Sequence, residues 1–89
     1  MINKETINHA RILYENIFGD FADMSIEFTN FACGRPHLLR MKIDEELIII
    51  NSEIMNCVDP EYYKELSDKR DKLKELERLI MEYIENNEV

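Results

Sequence analysis

Leu39-Arg40-Met41-Lys42-Ile43, then Asp44-Glu45-Glu46, then Leu47-Ile48-Ile49-Ile50: the architecture turns on these twelve residues. In the first five, apolar and cationic side chains alternate with period two, the mark of a half-buried strand. Three acids follow as a polar turn. The last four are apolar on both parities, as in a strand covered on both faces. Upstream, Met24, Ile26 and Phe28 alternate with Ser25, Glu27 and Thr29. That predicts another strand, its parity broken at Phe31 and Cys33 by a bulge and ended by Gly34-Arg35-Pro36. The middle of the chain therefore reads as a three-stranded meander.

Helices flank it. In residues 4–18, Ile7, Ala10, Leu13, Tyr14, Ile17 and Phe18 fall on one helical face, with Asn3 at the N-cap and Gly19 suited to the left-handed position that ends a helix. Asp59-Pro60-Glu61 opens a second helix with a capping carboxylate, a proline at the first helical position and an acid in the first turn. That helix runs over 59–86, about 40 Å at 1.5 Å per residue. The order is αβββα, an α+β fold with an antiparallel sheet in one domain spanning 1–89. A helix longer than the domain is wide is expected to protrude or dimerise. Tyr62, Leu66, Lys69, Leu73, Leu76, Ile80 and Tyr83 step by four and three as a heptad seam. Leu73, Leu76, Ile80 and Tyr83 are the expected self-association residues, and a homodimer is the expected assembly.

The chain has 89 residues, with 19 acidic against 11 basic side chains and net charge −8. The acids are spread: residues 1–58 and 59–89 each carry −4. With no basic stripe, direct nucleic-acid binding is not expected. The longest apolar run is four residues, far short of the ~20 of a membrane span, and the start lacks the basic and apolar regions of a secretory signal. A cytoplasmic location follows (the host cytoplasm for a phage-encoded chain), where Cys33 and Cys57 stay thiols.

No catalytic set emerges. Cys33 and His37 flank a turn, and they suggest either a nucleophile pair or half of a zinc site. The two further zinc ligands have no recognisable spacing, so no metal or cofactor is expected. Gly34-Arg35-Pro36-His37 in an αβββα order resembles the Gly-Pro-x-His loop of double-stranded-RNA-binding domains. Where that family's last helix starts lysine-rich, this chain has Asp59-Pro60-Glu61-Tyr62-Tyr63. In size and charge the chain is similar to small acidic proteins of phages and mobile elements, anti-CRISPR proteins among them.

These features predict a non-enzymatic interaction module that binds and modulates a larger protein with a basic surface, one that handles nucleic acid. The expected contacts are Asp44, Glu45 and Glu46 on a hairpin tip, Glu82, Glu85 and Glu88 at the helix end, and Tyr63 as an aromatic anchor. The alternative is an enzyme or ligand-binding domain whose site forms at a dimer interface near Cys33 and His37.

Overall fold

The computed structural model describes residues 4–87 and contains helices where a sheet was expected. Four α-helices follow one another: α1 (Lys4–Phe18), α2 (Ile26–Ala32), α3 (His37–Asn56) and α4 (Pro60–Asn87), with a short 3-10 turn at Ala22–Met24. No strand occurs among the described residues, so the αβββα order is replaced by an all-α bundle. The likeness to double-stranded-RNA-binding domains, which rested partly on that order, falls with it.

All three expected strands are helical, and the reasons are local. Ser25 caps α2: its hydroxyl oxygen accepts the Phe28 N–H at 3.1 Å, a standard N-cap bond. In a helix, Phe28 and Phe31 lie three apart on one face, and both are buried. Met24 and Ile26, which completed the alternation, are exposed. The parity break at Phe31 was helical spacing rather than a bulge.

The second and third strands, with their acidic turn, form one helix, α3. Leu39, Ile43 and Ile50 are buried, with Leu47 and Ile54 half-buried on the same face at steps of three and four. Met41, Ile48 and Ile49 are exposed on the other side. An apolar stripe on each of two opposite faces produces the run at 47–50 that imitates a doubly buried strand. No glycine or proline interrupts residues 37–56, so the acids at 44–46 had no turn residue to break the helix.

The two flanking helices lie where the periodicity put them. Gly19, at φ +73°, closes α1 with its N–H on the Glu15 carbonyl at 2.9 Å. The Asp59 carboxylate accepts the Glu61 N–H at 3.0 Å as α4 begins. A three-residue loop, 57–59, folds α3 and α4 into a helical hairpin. α1 packs on α4 and α2 on α3. The core joins Ala10, Tyr14 and Ile17 of α1 with Phe28 and Phe31 of α2, the inner face of α3, and Leu73, Leu76 and Ile80 of α4.

One polar network ties three elements together. Tyr14 donates its hydroxyl to Ser25 Oγ at 2.9 Å, and Lys42 Nζ donates to the Tyr14 oxygen at 3.0 Å. Burial alone would depress the Lys42 ammonium, but the Tyr14 hydroxyl and the Glu27 and Glu46 carboxylates outweigh it and raise its pKa. The same ammonium lies 4.7 Å from the Phe18 ring centroid, a cation–π contact. This network fixes α1 and the turn before α2 against α3.

The molecule measures 44 × 26 × 19 Å. A 28-residue helix is about 42 Å long, so α4 sets the long dimension. Its beginning and the end of α3 form an arm: from Asn51 to Glu65 no residue is buried.

Candidate protein-binding surface

The residues expected to contact a partner are scattered by the all-α fold. Asp44, Glu45 and Glu46 lie midway along α3 rather than on a hairpin tip. Glu45 is exposed, while Asp44 and Glu46 are half-buried. Asp44 pairs with Arg40 at 3.9 Å, one turn away. It also faces Glu77 of α4, whose pKa is raised by the hydrogen bond to Asp44, by burial and by the Asp44 charge; Arg40 and Lys74 oppose the rise.

A carboxyl whose folded pKa lies above its ordinary 4.5 costs stability at neutral pH. Stability is regained as pH falls through the raised folded value, and the cost is gone below 4.5. Glu77→Gln is therefore expected to raise the melting temperature at pH 7. With solvent screening discounted, a gain of about 0.5 kcal/mol corresponds to roughly 2–4 °C. Melts at pH 7 and pH 4 check this: the gain should be present at the first and vanish at the second.

At the other end of α4, Glu82 accepts from Arg78 Nη1 at 2.9 Å, and the same guanidinium holds Glu75. Glu85 is exposed. Glu88 lies outside the described residues. The seam residues Leu73, Leu76 and Ile80 are fully buried inside the chain, and Tyr83 packs its ring edge-on against Phe31 at 5.6 Å. The seam is thus filled by the protein's own helices. Cys33 and His37 are exposed beside the turn between α2 and α3. Among the described residues no group of three His, Cys, Asp or Glu side chains is placed to hold a metal ion. No helix there is long and apolar enough to cross a membrane.

What the fold does bring together is at the arm. Residues 51–65 hold four acids, Glu53, Asp59, Glu61 and Glu65, against one lysine, a net charge of −3. The same residues expose Met55, Val58, Tyr62 and Tyr63. Between the helix ends runs an open groove of about 480 Å³, lined by polar Ser52, Glu53, Asn56 and Asp59, with Tyr62 and Leu66 supplying aromatic and aliphatic surface. Tyr62 donates its hydroxyl to Glu53 at 3.2 Å, which holds the phenol above its usual range and steadies both side chains across the hairpin. A cationic side chain fits this lining, with carboxylates for its head, an aromatic face beside it and Leu66 for its stem.

Tyr63, singled out from sequence, is at this tip and about half exposed. Glu53, Asp59 and Glu61, which the fold gathers at this tip, were not among the residues singled out from sequence. The signal was present in the strength of the Asp59-Pro60 helix start: whatever precedes it must turn, and a turn between two helices is a tip. No family model matches the chain, and no curated protein or solved structure matches it.

Proposed function

We propose that the protein is a non-enzymatic interaction module that seats the tip of its α3–α4 arm on a basic surface of a larger, nucleic-acid-handling protein and modulates it. Four acids against one lysine in residues 51–65, on an arm that also exposes two tyrosines, carry this reading. A negative field of that kind steers a small protein toward grooves that ordinarily hold polyanions. Once seated there, acids and aromatic rings occupy the path of phosphates and bases. Tyrosine suits the anchoring role because it buries a large rigid surface while ordering few torsions.

The test uses the partner recovered by affinity capture from the cells that express the protein. Charge reversal of the tip (Glu53→Lys, Glu61→Lys and Glu65→Lys together) is expected to slow association strongly, and wild-type association is expected to slow as salt rises. Tyr63→Ala is expected to weaken affinity by about 30-fold or more through faster dissociation. A partner bound equally well by both folded variants, at a rate indifferent to salt, defeats the proposal.

A further inference from the structure

We infer that the outer face of α3 is a self-complementary surface on which a second copy of this chain packs antiparallel, with the two-fold axis at Ile48. The face carries apolar side chains with no cover in the chain, from 47% exposed at Leu38 to 97% at Val58 just past the helix. Met41, Ile48 and Met55 recur every seven residues, the spacing that keeps one seam in contact with a neighbouring helix crossing at about 20°.

The order of these residues selects the occupant. Antiparallel pairing about position 48 puts Met41 opposite Met55, Leu38 opposite Val58, and Ile48 opposite its own copy. A two-fold interface demands this kind of match, because the same patch must meet itself reversed. The polar positions obey the same symmetry. Glu45, the exposed acid beside the seam, and Ser52 lie seven apart on one side of it, so the reversed copy sets Ser52, a hydrogen-bond donor, beside Glu45 rather than a second acid. The antiparallel arrangement also brings the entry of α3, with Arg35 just before it, toward the partner copy's α3–α4 turn, which carries Asp59. A parallel pair would instead stack Arg35 on Arg35 and Glu45 on Glu45, which like charges oppose. Ser52, Val58 and Asp59 border both this face and the groove lined by Tyr62 and Leu66, so the two surfaces are told apart at Ile48, which is outside the groove, and at Tyr63, which is outside α3.

Sedimentation equilibrium of the full chain tests the assembly. A dimer of twice 10.7 kDa is expected in the micromolar range. Ile48→Glu, which sets two carboxylates on the axis, is expected to weaken the dimer by about 100-fold or more while leaving the helical circular dichroism intact. Register is read by cross-linking in a Cys33→Ser, Cys57→Ser background. Ile48→Cys should form a disulfide with its own copy on oxidation. Met41→Cys should do so only when mixed with Met55→Cys. A wild-type monomer at high micromolar concentration overturns the inference, as does a dimer whose mass survives Ile48→Glu. So does Met41→Cys linking to itself as readily as Ile48→Cys. The tip proposal fails separately, since Tyr63→Ala is expected to change partner binding and leave the mass alone. A monomer whose Ile48→Glu variant loses the partner would assign the stripe to that partner and end the dimer.

Discussion

Replacing Leu76 by glutamate is expected to unfold the protein at 25 °C. Leu76 has no exposed surface and sits between Leu73 and Ile80, which have none either. A carboxylate there would be buried without a partner, and neutralising it still leaves a polar group in an apolar core. A chain of 89 residues holds only about 4–13 kcal/mol of stability in all. Even the milder Leu76→Ala is expected to remove about 2–5 kcal/mol, from lost burial and the cavity left behind. Circular dichroism and urea titration check both variants. A Leu76→Glu protein that keeps its helices and changes only its mass would place the seam at an interface between chains, contrary to the packing described above.

Phe31→Ala is expected to cost about 3–5 kcal/mol, the range for emptying a fully buried aromatic site. Its ring meets Phe28 at 5.8 Å and Tyr83 at 5.6 Å, both edge-on, the arrangement aromatic quadrupoles favour. Those contacts fasten the short α2, with the turn at Gly34, to the far end of α4. Seven residues cannot hold a helix alone, so α2 depends on this anchor. At roughly 4–8 °C per kcal/mol for a domain of this size, the melting temperature is expected to fall by more than 12 °C. Cys33→Ala, on an exposed neighbouring position, serves as control and should shift it little. A Phe31→Ala protein melting within a few degrees of wild type would refute the anchoring role.

How much of this was legible in the residues differs by element. α1 and α4 announced themselves because each has one apolar face and strong punctuation, Gly19 at one end and Asp59-Pro60 at the other. α3 did not. Its apolar residues occupy two opposite faces, so the helical period cancels and the period-two alternation of Leu39, Met41 and Ile43 stands out. The decisive counter-signal was an absence, the lack of any glycine or proline from 37 to 56. The expected contacts suffered in turn. Asp44, Glu45 and Glu46 drew their importance from a hairpin that α3 replaces, whereas Tyr63 lies in a helix that was read correctly. Leu73, Leu76 and Ile80 were read correctly as an apolar seam. Which helix fills a seam is tertiary information, and here both α3 and α1 pack on α4.

The fifteen residues from Asn51 to Glu65 without a buried side chain also set a gradient of opening along the hairpin. Backbone amides there are secured by helical hydrogen bonds with little packing behind them, while those near Leu76 yield only when the whole core does. Deuterium is therefore expected to enter from the tip inward, with amides near Leu76 the last to exchange. Binding of the proposed partner at this tip would engage the part of the molecule that opens most readily, and is expected to read out as slower exchange confined to the arm.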